Sequence, residues 1–313
     1  VRRPVISTDP KSGLIGAALV VLGAILLAAK GLFAKALYAQ GMTYHDVAAV
    51  RSVLAIPGFI LVAAISAQRF KGKPSPKPTP LHLIAAAAAG LWCYYFGALA
   101  NFYALTLIQA NVERALLFSY PAMVVLFSAI TSRAIPSRST MVALATTSLG
   151  VLLVTGAADA QLSSDQWQGI FWVLFCSVTI ACYFMANGAL TQNMSSATFT
   201  LTAMTAAGTA FFVHHGLIMG WLQVELPGIS LWIMLGLVVF ATVLPLFCVA
   251  EGIRRIGASR GALLSTVGPP ATAFMAYLIY DERLTALQFL GTVLVVLSVG
   301  VLEWRSAYQK AKS

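Results

Sequence analysis

Apolar residues run along this chain in long blocks. With boundaries set by the flanking polar residues, the blocks are 14–37, 44–66, 81–105, 112–132, 139–157, 167–190, 198–222, 229–250, 259–280 and 285–304. Turn and charge signals separate them. Examples are Gly72-Lys73-Pro74-Ser75-Pro76 with Pro78 and Pro80, and the polar stretch 158–166, Ala-Asp-Ala-Gln-Leu-Ser-Ser-Asp-Gln. Blocks of this length match the roughly 20 residues that a helix needs to cross a bilayer. In lipid the backbone must satisfy its own polar groups, so the pattern predicts helices. A membrane β-barrel would alternate apolar and polar positions, and no alternation is visible.

Composition agrees with that reading. A chain of 313 residues would, as a soluble protein, suggest two domains of about 150 residues. Here 59% of residues are hydrophobic and 10% charged, against roughly 45–50% and about 25% in soluble domains. The mean hydropathy is +0.84. Ten spans of about 21 residues leave roughly 100 for nine connections and two tails, too few for a separate soluble domain. A cytosolic enzyme, a nucleic-acid binder and a secreted scaffold are all excluded. The start at Val1 shows no cleavable-signal pattern, since Ala17–Ala29 leads straight into a full-length span; the missing Met reads as trimming.

The net charge of +10 acts as an orientation signal. Arg2, Arg3, Lys11, Arg69, Lys71, Lys73, Lys77, Arg133, Arg138, Arg254, Arg255, Arg260, Arg305, Lys310 and Lys312 all fall on one side if both tails share it. The opposite loops carry only Arg283. This bias places both termini in the cytoplasm and requires an even number of spans. Cys93, Cys176, Cys182 and Cys248 sit within apolar blocks without ligand spacing, and read as small buried side chains.

Two stretches offset by 148 residues share a plan. Residues 109–122 read Gln-Ala-Asn-Val-Glu-Arg-Ala-Leu-Leu-Phe-Ser-Tyr-Pro-Ala, and 257–270 read Gly-Ala-Ser-Arg-Gly-Ala-Leu-Leu-Ser-Thr-Val-Gly-Pro-Pro. Each has a small-residue turn, an Ala/Leu-rich helix start and a proline about ten residues into the span. Five spans per half is an odd number, so the second half enters from the opposite side. The predicted fold is an all-α membrane protein of ten transmembrane helices, built as two inverted five-helix repeats (1–157 and 158–313) around a central cavity. Pro121 and Pro269 then lie at similar depth near the midplane. They are candidate gating kinks at a site between the halves, or kinks that only shape packing.

The residues Ile256-Gly257-Ala258-Ser259-Arg260-Gly261-Ala262-Leu263-Leu264, then Pro269, Asp281-Glu282-Arg283-Leu284-Thr285 and Gly291, resemble the closing half of EamA-type proteins of the drug/metabolite transporter superfamily. Ala104-Leu105 through Pro121 resembles the matching part of the first half. Within the superfamily, the aromatic-rich third span and Asn101-Phe102-Tyr103-Ala104-Leu105 look like the YddG aromatic amino-acid exporters. The chain departs from the pattern at Thr131-Ser132-Arg133-Ala134-Ile135-Pro136, where the second half has its acidic run. The resemblance implies a multi-pass transporter of the bacterial inner membrane, not an enzyme. It also implies outward movement of an amino acid or similar amphipathic metabolite, with spans 1, 3, 4, 6, 8 and 9 lining the cavity. An organic-anion or phosphate-ester exchanger, or a drug exporter, is the alternative.

No Asp or Glu stands in the middle of any block, which favours facilitation or exchange over proton antiport. His214-His215 is the remaining titrating pair near membrane depth, and otherwise a polar patch near the outer end. No phosphate loop, metal cluster or catalytic constellation is visible, so no cofactor is expected. Lys30 lies about 16 residues into the first span, past the midplane; it either anchors an anionic substrate group or snorkels, whereas Lys35 reaches the surface easily. Arg51 reads as structural, pairing with Asp46 or Glu113. Tyr94 and Asn101 in the third span, and Trp172, Tyr183 and Asn187 in the sixth, are the polar and aromatic candidates for substrate binding. Hydrogen bonding between packed helices is the competing role for them. Gly216-x-x-x-Gly220 and Gly257-x-x-x-Gly261 have the spacing of close helix contacts. The expected partners are a small-molecule substrate and the lipid bilayer, with no nucleic acid and an unassigned oligomeric state.

Overall fold

The computed structural model describes residues 10–69, 78–104, 107, 116–155, 167–218, 220, 228–280, 285–287, 289–298 and 301. Glu113, Arg114, Arg283 and the loops at 70–77 and 156–166 lie outside them, as does the side chain of Lys35.

The described elements are helical. In chain order they are α1 (Pro10–Ala28), α2 (Lys30–Ala39), α3 (Tyr44–Arg69), α4 (Pro80–Gly90), α5 (Ala98–Ala104), α6 (Tyr120–Ser132), α7 (Arg138–Thr155), α8 (Trp167–Leu190), α9 (Ser196–Ile218), α10 (Gly228–Val238), α11 (Leu244–Ile256), α12 (Ala258–Leu264), α13 (Gly268–Tyr280) and α14 (Phe289–Ser298). A π-helical segment, Leu91–Gly97, joins α4 to α5, and a second, Val239–Val243, joins α10 to α11. The protein is therefore an all-α, multi-span membrane protein. Among the described residues, six continuous stretches are long and apolar enough to cross a bilayer: Lys11–Ala39, His45–Gln68, Pro80–Asn101, Trp167–Leu190, Ser196–Leu217 and Gly228–Ile256. The expected fourth, fifth and tenth spans are represented among the described residues by shorter apolar helices, α6, α7 and α14. The ninth is broken into α12 and α13 by a 3-10 turn, Ser265–Val267.

Large apolar side chains face outward on most of these helices. Leu14 is 70% exposed, Trp232 72% and Leu217 78%. In water such a surface would be a standing liability, whereas in lipid it is the solvated face.

Short capping motifs set the helix starts. Thr43 and Asp46 form a reciprocal pair at the start of α3: the Asp46 amide donates to Thr43 Oγ1 and the Thr43 amide to Asp46 Oδ2, each at 3.2 Å. Thr79 and His82 do the same for α4, with Pro80 at the first helical position. Ser137 accepts from the Thr140 amide before α7, and Ser195 from the Thr198 amide before α9, at 3.1 and 3.0 Å. Each cap satisfies an amide that would otherwise be orphaned at the helix end.

The packing pairs helices from the two halves of the chain. α1 lies along α11, α3 along α9, the α4–α5 stretch along α8, and α6 along α12. The closest approaches occur at glycines. A methyl group on Gly90 would meet the backbone of Ala203 in α9, and one on Gly252 would meet Val20 and Gly16 in α1. The Gly216/Gly220 motif behaves otherwise: Gly220 lies beyond the end of α9 at φ +82°, with nothing near its Cβ position. The close-contact glycines sit singly in the chain and pair with partners from distant helices, so spacing alone does not reveal them.

Prolines explain the breaks. Pro121 has no N–H to donate to the Leu117 carbonyl. The Ser177 hydroxyl from α8 donates to that oxygen at 3.0 Å instead, and lies 3.2 Å from the Leu116 oxygen. The chain turns at Phe118–Ser119 and α6 begins at Tyr120. In the second half, Gly268-Pro269-Pro270 follows the 3-10 turn and opens α13. Pro121 and Pro269 thus each stand in the first turn of a helix that resumes after a break. Pro245 likewise follows the second π segment, where Thr242 Oγ1 donates to the Leu237 carbonyl five residues back at 3.0 Å. The two π segments begin 148 residues apart, at Leu91 and Val239, the same offset that separates Pro121 from Pro269.

Candidate functional site

Where the halves meet, the helices enclose a cavity of about 520 Å³. That volume falls within the ~300–1,000 Å³ of small-molecule sites. Its walls come from α1–α3, the α4–α5 stretch, the Leu117–Tyr120 break, α8, α9, the α10–α11 stretch, and Ser265 with Gly268 and Pro269. The cavity is mostly apolar with few polar groups. Among the described residues, Lys30 and Arg51 are the only charged ones in the lining, and no described Asp or Glu lines it.

Four of the expected substrate-binding residues are brought together. Lys30, Tyr94, Asn101 and Tyr183 all line the cavity. Tyr94 stands on the first π segment and meets Tyr183 of α8 edge to face, with ring centroids 4.9 Å apart at 89°. Tyr120, not among the expected residues, closes another side. Its hydroxyl is hydrogen-bonded to Ser265 Oγ, which itself donates to the Ala262 carbonyl at 2.7 Å. That contact joins the broken helix of one half to the broken helix of the other. Tyr120 directly precedes Pro121, and its place beside the candidate kink is the signal that could have found it.

Two expected residues lie elsewhere. Trp172 is not in the lining: it packs in an aromatic group with Tyr103, Phe171 and Phe175, at centroid distances of 6.1, 5.4 and 5.9 Å. Asn187, one helical turn beyond Tyr183, is fully buried and also outside the lining. Pro269 lines the cavity, whereas Pro121 is buried beside it.

The expectation for Arg51 is a pairing with Asp46 or Glu113. Glu113 falls outside the described residues, and the other expected partner, Asp46, is engaged with its cap and with His215. The Arg51 side chain contributes to the cavity wall about one and a half turns further along the same helix. Spans 2 and 7 therefore line the cavity too, through Arg51, Met204 and Gly208, in addition to the six spans that the resemblance implied.

Polar ties fasten both ends of the bundle. At one end His215 Nε2 donates to Asp46 Oδ1 at 3.1 Å, joining the end of α9 to the start of α3. Beside it, the Tyr95 hydroxyl and His214 Nδ1 share a hydrogen bond at 2.8 Å. The adjacent histidines thus point to different partners, as their ~100° separation requires. At the other end Glu251 accepts from Arg254 Nε at 2.7 Å, Arg254 Nη2 at 2.5 Å and Arg255 Nε at 2.7 Å. Ser196 at the start of α9 donates to the same carboxylate at 2.8 Å. The cavity reaches toward the Asp46 end, where Lys30 and Tyr38 are exposed. Toward the Glu251 end, Ile253, Ile256, Leu263 and Leu264 are buried and plug the bundle.

Comparison with known proteins agrees with this arrangement. The EamA-like transporter family is matched twice, over residues 14–156 and 167–304. A protein of Bacillus subtilis (strain 168) described as an uncharacterized transporter, YcbK, is 30% identical over 294 residues, covering 93% of each chain. A solved crystal structure shares the fold with a TM-score of 0.74 at 15% identity, over 93% of this chain and 96% of that one.

Proposed function

Because the chain belongs to the EamA-like transporter family, and is thereby a secondary transporter of small molecules, we propose that it exports amino acids, aromatic ones first, or similar amphipathic metabolites. It works as a facilitator or exchanger in the bacterial inner membrane, with both termini cytoplasmic. The observation that carries this reading is the makeup of the cavity. Lys30 and Arg51 offer positive charge for a carboxylate, and Asn101 a neutral hydrogen-bonding group. The faces and edges of Tyr94, Tyr120 and Tyr183 accommodate a flat apolar body and can take an ammonium group by cation–π attraction.

Alternating access is the mechanism proposed, with ten spans in two inverted repeats. Three features support it. The π segments and the proline breaks each recur at the same 148-residue offset. Helices pair across the halves in matching fashion, α1 with α11 and α8 with α4–α5. One end of the cavity is plugged while the other is accessible.

A second reading, an organic-anion or phosphate-ester exchanger, is favoured by one observation: the charged lining residues among those described, Lys30 and Arg51, are cations. Counterflow in proteoliposomes tests the two together. Labelled tryptophan or phenylalanine is expected to exchange and to be displaced by other neutral amino acids. Block by phosphorylated sugars with no effect of amino acids overturns the first reading in favour of the second. Saturable binding without any flux overturns both.

A further inference from the structure

Asn187 is an anomaly of this fold. Its side chain is 0% exposed, and both Oδ1 and Nδ2 lack a hydrogen-bond partner. Thr200 of α9 is also 0% exposed, with its Oγ1 unpartnered. Buried polar atoms in native proteins are overwhelmingly paired, because an unpaired one forfeits its bonds to water. Each such atom calls for an explanation, and a second state that supplies the missing bonds is one.

Matching the halves shows which state that is. The two family matches begin 153 residues apart, which sets Leu27 against Ile180, Lys30 against Tyr183 and Ala34 against Asn187. The first two pairs line the cavity on both sides. In the third, Ala34 lines it and Asn187 does not. The capped starts of α3 and α9, at Thr43 and Ser195, lie 152 residues apart and set Val47 against Phe199 and Ala48 against Thr200. Val47 and Ala48 line the cavity, whereas Phe199 and Thr200 are sealed at 0% exposure. At these three pairs, Ala34/Asn187, Val47/Phe199 and Ala48/Thr200, a position that lines the cavity in the first half is shut in the second.

We propose that Asn187 and Thr200 line the chamber of the oppositely open state, where the Asn187 amide hydrogen-bonds the cargo or the water that enters with it. The inference rests on the inverted-repeat transporter reading. When the halves exchange conformations, the Ala34/Ala48 side closes and the Asn187/Thr200 side opens toward the Glu251 end. Two positions of this chamber are polar, Asn187 and Thr200, where their first-half counterparts are Ala34 and Ala48. Cargo is therefore bonded by a neutral amide on one face of the membrane and by Lys30 and Arg51 on the other.

Single cysteines test this in a chain whose Cys93, Cys176, Cys182 and Cys248 are replaced by alanine and whose unfolding temperature is first shown to match the parent's. Ala34→Cys, Ala48→Cys, Asn187→Cys and Thr200→Cys are treated with a membrane-impermeant maleimide, in right-side-out and inside-out vesicles. The expected result is that Ala34→Cys and Ala48→Cys react from one face, and Asn187→Cys and Thr200→Cys only from the other. Asn187→Ala, in the otherwise unmodified chain, is expected to lower flux by about tenfold without lowering the unfolding temperature, since it removes atoms that hold nothing in this state. Failure of Asn187→Cys and Thr200→Cys to react from either face, while Ala34→Cys does, overturns the proposal: the amide is then held by a trapped water or by packing. Reaction from the same face as Ala34→Cys overturns it as well. Labelling from the expected face in a protein that moves no solute upholds the chamber and instead sinks the transport reading.

Discussion

Adding a single methyl group at Gly90 is expected to loosen the bundle at its tightest crossing. The Cβ of Gly90→Ala would stand 2.0 Å from the Ala203 carbonyl oxygen, 2.5 Å from its carbon and 2.6 Å from its Cα. Ordinary contact begins near 3.4 Å, so the shortfall is about 1.4 Å. All three obstructing atoms are backbone, and no rotamer change relieves them. α4 and α9 must move apart by roughly that distance, and a gap of even 0.5–1 Å forfeits a quarter to a half of each dispersion contact along the crossing. Overpacking of this kind costs about 1–3 kcal/mol, and the rigid obstruction puts Gly90→Ala at the upper end. At roughly 2–4 °C per kcal/mol, the detergent-solubilised protein is expected to melt about 6–12 °C below the parent. Gly228→Ala, where the added methyl meets open space, is the matched control and should melt with the parent. Ala203→Gly should fail to rescue Gly90→Ala, because the clash is with main-chain atoms. A Gly90→Ala protein as stable as the parent, or rescue by Ala203→Gly, refutes the close crossing of α4 and α9.

Other expected outcomes concern the cavity and its ties. Arg51→Met should weaken competition by carboxylate-bearing solutes by roughly tenfold or more, the scale of one lost charge-assisted bond, while Arg51→Lys retains part of it; equal inhibition curves for parent and Arg51→Met remove Arg51 from recognition. Lys30→Ala should reduce flux more than Lys35→Ala at matched expression, and equal, negligible losses would take Lys30 out of the site. Tyr120→Phe and Ser265→Ala, combined in a double-mutant cycle of thermal unfolding, should show a coupling of about 1 kcal/mol across the two breaks; strict additivity contradicts the hydrogen bond between them. Flux should respond weakly to an imposed proton gradient, since no carboxylate lines the cavity among the described residues. Strong acceleration that disappears in Asp46→Asn would make the Asp46–His215 tie a coupling site.

The long spans were legible because lipid writes its demand directly into composition: twenty apolar residues in a row have few other uses. The 167–190 block matches α8 residue for residue. Harder to read were the places where helices bend. Nothing in Leu91–Gly97 distinguishes a π turn from an α-helix, because the extra residue is accommodated by contacts with α8, including Thr179 against Gly97. The prolines did mark their breaks, but the rescue of Leu117 by Ser177 joins residues 60 apart and leaves no local trace. Lys30, Tyr94, Asn101 and Tyr183 were identifiable as costly groups at membrane depth. Of the two carboxylates expected for Arg51, Glu113 lies outside the described residues and Asp46 is bonded to His215, a tie between residues 169 apart that leaves no local trace in the sequence. Trp172 could not be separated from the cavity aromatics by type alone; only the rotation of α8 shows that it faces Tyr103 and Phe175.

The wide turns at Leu91–Gly97 and Val239–Val243 carry a consequence for how these spans tolerate change in length. A π turn holds one residue more than the α-helix around it needs, and so slips the phase of every side chain beyond it by about a quarter turn. Deleting one residue inside either segment should therefore heal the ladder rather than break it, yet rotate Asn101, or Leu246 and Val249, out of the shared wall. The surplus residue works as a vernier, setting the azimuth of one half-span against the other, and a chain shortened there would insert and pack while losing its aim.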